Sequence, residues 1–241
     1  MSVRYTAETA ILDYSHASIQ SLIDRQGWRS LSREQALKSI YYFVRDEIRF
    51  GYNRDDSIPA SDVLANGYGQ CNTKSTLFMA LLRALDIPCR FHGFTIFNAL
   101  QRGAIPTYLM PFAPKRILHS WVEVLLDGEW LNVEGFIIDQ AFLAKVQQAF
   151  PNRTGFSGYG ISVPCLQKPS NEFDGNDTYI QAEGIADDFG VFDNPDGFYS
   201  KHGSNLRGLK KILYRYVLRH LMNVNVQRIR QNGLTIKRLS T

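Results

Sequence analysis

The chain has 241 residues, of which 44% are hydrophobic and 21% are charged, so it can bury the core of one large domain or of one domain with an appendage. The N-terminus has no apolar stretch of signal-peptide length, and nowhere do about 18 apolar residues follow one another. We therefore expect neither export nor a membrane span. Three cysteines without metal-ligand spacing predict free thiols in a reducing cytoplasm, with no metal and no cofactor.

The net charge of +4 is distributed unevenly along the chain. Residues 197–241 contain ten Lys and Arg residues and no acidic residue, whereas the first 196 residues carry 17 basic and 23 acidic side chains. Such a tail could bind nucleic acid, a membrane surface or an acidic partner, or it could pack on its own acidic body. No aromatic-basic recognition motif accompanies it, so nucleic acid is not expected and packing on the body is favoured.

Two helices are predicted in the first fifty residues. The sequence after Ser15 is typical of a cap that leads into a short helix, which Gly27 would end. Further on, Ser32-Arg-Glu-Gln is a capping-box pattern, and apolar residues follow it at helical spacing. We expect one helix over residues 33–48.

The stretch from Gly67 to Arg90 places a cysteine between a glycine-containing turn and a predicted buried helix. Apolar residues recur at helical spacing from Leu77 to Leu85. Unpaired N–H groups and the macrodipole at a helix start favour negative charge, and therefore favour a thiolate at Cys71. A buried Cys71 that only fills space is the alternative that this stretch alone leaves open.

An antiparallel sheet is predicted downstream. Residues 90–97 have the aromatic and β-branched character of a strand, and residues 119–126 alternate between apolar and polar side chains. Asp127-Gly128 is a strong signal for a two-residue hairpin, and residues 129–134 form the returning strand. The hairpin brings the start of one strand near the end of the other.

The remaining segments are less regular. The long connection over residues 98–118 is either a lid or substrate wall, or a cover for a sheet edge. Residues 136–150 predict a helix, and the aromatic-rich residues 151–203 predict irregular structure that wraps the core. From Ser204 to about Arg230 we expect a helix with apolar residues on one face and basic residues on the opposite face, namely Leu206, Leu209, Leu213, Tyr216, Val217, His220 and Val224 against Arg207, Lys211, Arg215 and Arg219.

A cysteine at a helix start, a histidine on a hairpin strand and an acid at the end of the returning strand are typical of a thiol acyl-transfer site. The histidine would take the thiol proton and later protonate the leaving group, while the acid would orient the ring. His119 and Glu134 lie on opposite arms of the predicted hairpin, within neighbouring or diagonal reach. Cys71 is the nucleophile that this pair would serve.

Three ordered motifs in this region resemble the transglutaminase-like superfamily. They are Gly-Gln-Cys ending at Cys71, Arg-Ala-Leu-Asp-Ile-Pro-Cys-Arg ending at Arg90, and His-Ser-Trp-Val-Glu-Val beginning at His119, with Glu134 following Trp-Leu-Asn-Val. The resemblance covers roughly residues 36–140. It implies an α+β fold with a papain-like core, in which a helical N-terminal part packs on an antiparallel sheet, here followed by a basic C-terminal helix.

The resemblance also implies a cysteine-dependent enzyme that forms a thioester at Cys71. Hydrolysis of an amide or peptide bond is favoured, transfer of the acyl group to an amine is the variant, and the substrate would be a peptide, a protein or a small amide. The family usually has Asp where this chain has Glu134, which leaves Asp139 as a substitute to consider. The backbone N–H of Cys71 is the expected oxyanion donor; the side-chain candidates for that role or for the site wall are Gln70, Tyr52, Asn72 and Trp121.

These expectations divide the chain into a transglutaminase-like catalytic domain at residues 1–203, with its core at about 33–145, and a basic helix and tail at residues 204–241 packed on the same domain. Tyr214 and Leu218 lie among the basic residues of that helix, which suggests self-association through residues 204–230. The alternative function is a catalytically inactive fold that serves as a binding or scaffold module through the basic helix.

Overall fold

The computed structural model of the protein describes residues 3–234. Its helices are, in chain order, α1 Ala17–Gln26, α2 Arg33–Tyr42, α3 Ala60–Asn66, α4 Cys71–Arg83, α5 Gln140–Ala149, α6 Pro195–His202, α7 Gly208–Leu213 and α8 Arg219–Asn232. Its strands are β1 Arg49–Phe50, β2 Tyr68–Gly69, β3 Cys89–Phe97, β4 Arg116–Leu126, β5 Glu129–Val133, β6 Phe156–Gly158, β7 Ile161–Val163 and β8 Ile185–Phe192. Within this described range, none of the helices is long and apolar enough to cross a membrane.

The main sheet is antiparallel, with the strand order β5-β4-β3-β8. The predicted hairpin is confirmed: β4 pairs with β5 through Val122 and Val133, and both turn residues, Asp127 and Gly128, have positive φ. Strand β8 adds to the free edge of β3. The prediction of irregular structure is wrong for this strand, because its hydrogen bonds to β3 form across about 95 residues of chain and leave little local pattern.

The core lies where α4 packs on β4 and β3, with α2 and α3 on the other side of α4. Every residue of α4 is buried, including its charged residues. The Nζ atom of Lys74 donates to the carbonyl oxygens of Arg45 (3.1 Å) and Ile137 (3.0 Å), so the buried ammonium is hydrogen-bonded to backbone. This packing confirms the α+β class and the helical N-terminal part on an antiparallel sheet.

The helix boundaries confirm some sequence signals and correct others. Helix α1 ends at Gly27, which has the left-handed φ of 67° expected of a glycine C-cap. The predicted helix over residues 33–48 is present as α2 continued by a π-helical stretch, Phe43–Glu47. The helix predicted from residue 136 begins only at Gln140, because the Asp139 carboxylate caps it by accepting from the Phe142 N–H.

The C-terminal segment, defined here as residues 204–232, comprises α7, a π-helical stretch (Tyr214–Leu218) and α8. The prediction that Ser204 caps this helix is wrong, since regular structure begins at Gly208. The predicted apolar face is largely exposed, with Leu209 83% and Val224 66% accessible. On the predicted basic face, Lys211 and Arg215 point to the body and pair with Asp55, whereas Arg207 is exposed. Two basic residues of the tail, at positions 237 and 238, lie outside the described residues.

Candidate active site

Cys71 is the first residue of α4, at the point where the chain leaves the short strand β2. Its N–H lacks an intrahelical acceptor because of this position. The turn that precedes it requires a glycine: a Cβ at Gly69 would lie 2.7 Å from Thr73 Oγ1 and 2.9 Å from Lys74 Cγ. The backbone at Gly69 therefore packs closely against the first turn of α4. This is the helix start at which the sequence predicts that Cys71 favours a thiolate.

His119 lies on β4, opposite Phe94 of β3, and is fully buried. Its Nε2 atom is 2.7 Å from Oε1 of Glu134. The other ring nitrogen, Nδ1, has no hydrogen-bond partner among residues 3–234. The ring is thus held by the carboxylate at one nitrogen, while the other nitrogen remains available on the Cys71 side.

Glu134 directly follows β5 and is also fully buried. Its second oxygen, Oε2, accepts from the backbone N–H groups of Ile180 (2.8 Å) and Gln181 (2.9 Å). Its own N–H donates to the Thr178 carbonyl oxygen at 3.0 Å. Backbone from residues 178–181 therefore fixes the carboxylate that faces His119. The sequence gives no signal for this support, because the donors are main-chain groups of an irregular segment.

The charges around His119 favour its protonated form. Burial by itself lowers the pKa of His119, but the negative charge of a Cys71 thiolate and the Glu134 carboxylate outweigh burial and raise this pKa to about 10. The surroundings of His119 thus favour its imidazolium form.

Gln70 and Tyr52 lie beside Cys71 at one end of a cavity. The side-chain Oε1 atom of Gln70 accepts from the Asn53 N–H (2.9 Å), and its side-chain Nε2 donates to Asp56 Oδ1 (3.1 Å). The Tyr52 hydroxyl donates to a side-chain amide oxygen, that of Gln101, at 2.7 Å, and burial raises the Tyr52 pKa. Both side chains therefore line the same cavity as Cys71 and are held there by hydrogen bonds.

Asn72 and Trp121 are placed differently from the predicted wall or oxyanion roles. The Asn72 amide donates to Asp56 (3.2 Å) and to the Leu118 carbonyl oxygen (3.0 Å), so both of its hydrogens are engaged inside the protein. Trp121 packs against Phe94, with ring centroids 4.1 Å apart. Neither residue is among the described residues that line the cavity. Asn72 therefore contacts residues that line the cavity, and Trp121 packs on the neighbouring strand, without either of them lining the cavity.

Asp56 has a buried carboxylate, and no sequence motif indicated that it would lie near Cys71. It accepts from three side-chain amides, those of Gln70 (3.1 Å), Asn72 (3.2 Å) and Asn205 (2.7 Å). Burial raises the pKa of Asp56, although these amide donors act in the opposite direction. Because Gln70 and Asn72 flank Cys71 in sequence, Asp56 holds the side chains on both sides of Cys71 and joins them to the C-terminal segment through Asn205.

Asp139, the predicted substitute for Glu134, is engaged elsewhere. Its carboxylate accepts from the Phe50 N–H (2.8 Å), caps α5, and forms an ion pair with Arg230 at 2.7 Å. Burial would raise the pKa of Asp139, but the Arg230 guanidinium outweighs burial and holds this pKa below its usual range. The structure thus brings Glu134 to His119 and uses Asp139 to anchor the C-terminal segment.

A cavity of about 110 Å³ opens beside Cys71. One wall comes from the long connection over residues 98–118, which here forms two 3₁₀ turns and contributes to the site. The facing wall comes from the C-terminal segment. The sequence left two roles open for this connection, a lid or substrate wall and a cover for a sheet edge. Its placement on the cavity favours the wall. Within residues 3–234, no group of His, Cys, Asp and Glu side chains could hold a metal ion.

The family model of the transglutaminase-like superfamily matches residues 20–135. No curated protein matches the chain. Among solved structures, a proposed cysteine protease from Cytophaga hutchinsonii is 11% identical with a TM-score of 0.46, covering 80% of this chain and 47% of its own. A transglutaminase from red sea bream is 18% identical with a TM-score of 0.28, covering 51% of this chain and 24% of its own. The chain thus spans half or less of the length of these structures. The segment from residue 20 to residue 135 belongs to the transglutaminase-like superfamily.

Proposed function

We propose that the protein is a cysteine-dependent acyl-transfer enzyme that hydrolyses an amide or peptide bond through a thioester at Cys71. The observation that carries the proposal is the fixed His119–Glu134 pair, whose free Nδ1 and raised pKa suit a proton shared with Cys71. Membership of residues 20–135 in the transglutaminase-like superfamily supports the general class.

In the proposed acylation step, the Cys71 thiolate attacks the substrate carbonyl carbon and forms a C–S bond. The N–H of Cys71 is the proposed donor to the developing oxyanion, at the N-terminal end of α4 where the macrodipole also favours negative charge. As the C–N bond breaks, the His119 imidazolium gives its proton to the leaving amine. Glu134 keeps the ring oriented throughout.

In the proposed deacylation step, the now neutral His119 takes a proton from water, and the water oxygen attacks the thioester carbonyl. The C–S bond breaks, the carboxylic acid product leaves, and the thiolate–imidazolium pair is restored. An amine that replaced water would give acyl transfer through the same steps. We propose hydrolysis as the main outcome, with transfer as the variant.

The proposal is tested with an activated acyl ester and intact-protein mass spectrometry. Wild-type protein should gain the acyl mass, and peptide mapping should place it on Cys71. The variants Cys71→Ala and His119→Ala should not gain it, whereas the matched control Cys165→Ala, which removes a half-buried cysteine, should behave as wild type. An acyl mass that persists in Cys71→Ala and is lost in Cys165→Ala would rule the proposal out.

The alternative function is a catalytically inactive module that binds a partner, or a second copy of the chain, through the C-terminal segment. One observation favours it: the outward face of that segment exposes large apolar side chains, with Leu209 83%, Tyr216 69% and Val224 66% accessible. The same mass spectrometry separates the two functions, because an inactive module forms no thioester at Cys71.

A further inference from the structure

The cavity beside Cys71 is lined mainly by apolar side chains from two facing walls. The wall from the long connection ends near the start of β4, and the wall from the C-terminal segment includes its π-helical stretch. The apolar lining residues are Ile105, Leu109, Phe112, Ala113, Pro114, Ile117, Leu118, Leu206, Leu218 and Met222. Cys71 is itself one of the lining residues, so a group attached to the attacked carbonyl carbon would extend into this cavity.

Several of the polar groups that line the cavity already have hydrogen-bond or ion-pair partners within the protein. Asp55 forms ion pairs with Lys211 (2.5 Å) and Arg215 (3.3 Å). Asp56 accepts from three amides, and the Tyr52 hydroxyl donates to a glutamine side chain. A polar or charged substrate group would therefore lose its water in the cavity without gaining an equivalent partner. An apolar group loses nothing by leaving water there.

The C-terminal segment is held firmly in its position on this wall. The Tyr214 hydroxyl donates to the Asn53 carbonyl oxygen at 3.0 Å. The Asn223 side chain accepts from the Tyr52 N–H (2.7 Å) and donates to the Tyr52 carbonyl oxygen (3.0 Å). The π-helical stretch Tyr214–Leu218 begins and ends on residues that line the cavity, and such stretches are frequent at functional sites.

We infer that this cavity binds the apolar group of the acyl donor, and that Leu206, Leu218 and Met222 of the C-terminal segment determine its size. The inference rests on the proposed function. A volume of about 110 Å³ suits a short branched aliphatic group, since an engineered apolar cavity of about 150 Å³ accepts benzene. The three size-determining residues lie outside the segment that matches the family model, so this specificity belongs to the additional part of the chain.

The test compares two nitrophenyl esters with the same leaving group, the acetate and the isovalerate. Cys71 attacks the ester carbonyl carbon, the C–O bond breaks and nitrophenolate leaves, so its absorbance reports acylation. We expect kcat/KM for the isovalerate to exceed that for the acetate by about tenfold or more, as for an added apolar group in a fitting pocket. If Cys71 is acylated but the two esters react at equal rates, the inference about the cavity is wrong while the proposed function stands.

Two neighbouring positions of α8 provide the variant and its matched control. Met222 is 6% accessible and lines the cavity, whereas Leu221 is 40% accessible and points outward. Met222→Trp should fill the cavity and bring the ratio of the two rates close to one, while Leu221→Trp should keep the wild-type ratio. If Met222→Trp slowed both esters equally, the leaving group rather than the acyl group would occupy the cavity, and the inference would be wrong.

A second variant keeps the test decisive if the tryptophan prevents folding. Met222→Ala enlarges the cavity, so the preference should shift from the isovalerate to a longer hexanoate ester. An unchanged order of the esters in folded Met222→Ala protein would contradict the inference. Failure of every ester to acylate Cys71 in folded wild-type protein would overturn the proposed function together with this inference.

Discussion

The cavity beside Cys71 lies between two regions that use buried polar side chains differently. In the core region, formed by the start of α4 and the β4–β5 hairpin, His119 and Glu134 are fully buried and point toward one another. In the C-terminal segment, polar side chains such as Arg230 and Asn223 instead attach a half-exposed helix to the body. Buried polar contacts therefore orient the His119 ring in the core region, whereas in the other region they fasten the C-terminal segment to the body.

The first region also explains why its geometry can be precise. Each oxygen of Glu134 has partners of its own, since Oε1 meets His119 and Oε2 accepts two backbone N–H groups. A rotation of the carboxylate would break buried hydrogen bonds, which costs about 1–3 kcal/mol for each group left unpaired. The C-terminal segment is also held by several hydrogen bonds and ion pairs, but these attach the helix to the body and do not orient His119.

The largest expected effect is that of Glu134→Gln on the core region. The two backbone N–H groups would hold the amide oxygen, so the amide NH₂ would donate to His119 Nε2 and leave the ring proton on Nδ1, facing Cys71. His119 could then no longer accept the thiol proton. We expect the acylation rate to fall by about ten-thousand-fold, as for the equivalent tautomer change in serine proteases.

The control for this change is Glu134→Asp, which keeps the negative charge on a side chain shorter by one methylene. It should retain much more activity than Glu134→Gln at a comparable melting temperature. Stopped-flow measurement of nitrophenolate release gives both rates. If Glu134→Gln acylated as fast as wild type, the core region would not be an orienting site and the comparison of the two regions would fail.

The next effect concerns the anchor of the C-terminal segment. Arg230→Ala leaves Asp139 buried without its ion-pair partner, so the free energy of unfolding should fall by about 3–5 kcal/mol. Arg228→Ala, at an exposed position on the same helix, should change it by less than about 0.5 kcal/mol. Urea denaturation followed by circular dichroism measures both, and equal effects would show that the ion pair does not fasten the segment.

This anchor also predicts a pH dependence. Arg230 holds the pKa of Asp139 below its unfolded value, so the ion pair stabilises the folded protein above that unfolded value, about 3.9. The contribution is lost as the pH falls through the lower folded pKa. The difference in the free energy of unfolding between wild type and Arg230→Ala should therefore be largest at neutral pH and decrease in acid. The difference between wild type and Arg228→Ala should show no such trend.

A smaller effect is expected in the reactivity of Cys71 toward iodoacetamide. An ordinary thiol with a pKa of about 8.5 is only about 0.3% ionised at pH 6. In the proposed mechanism Cys71 gives its proton to His119, so we expect Cys71 to react at pH 6 about 100 times faster than Cys165. With an amide substrate, acylation should decline above about pH 10, where His119 loses the proton that the leaving amine needs.

His119→Ala is the matched change for this measurement, since it removes the proton acceptor and leaves Cys71 in place. Its Cys71 should react at pH 6 at the rate of an ordinary thiol. Peptide mapping after timed alkylation separates the two cysteines. Wild-type Cys71 that reacts no faster than Cys165 would contradict the thiolate–imidazolium pair and favour the inactive binding module.

The local parts of the fold could be predicted from the sequence. The glycine before Cys71, the Asp127-Gly128 hairpin and the glycine that ends α1 are each specified by backbone geometry within a few residues. The motifs around Cys71, His119 and Glu134 are each contiguous in the sequence, so their resemblance to a known family could be seen without the fold. Signals of this kind do not require knowledge of how distant segments pack.

Other features were decided only by the tertiary structure. The sequence favoured packing of the basic tail on the acidic body, but it could not show which acidic side chains would receive it; these are Asp55 and Asp139. Nor did it predict that Met222, Val226 and Ile229 would be buried on the body side. The contact of Asn205 with Asp56 joins residues 149 positions apart, and Glu134 depends on N–H groups more than 40 positions away. Turn and capping signals are local in the chain, whereas the partners of buried polar groups are set by how distant segments meet.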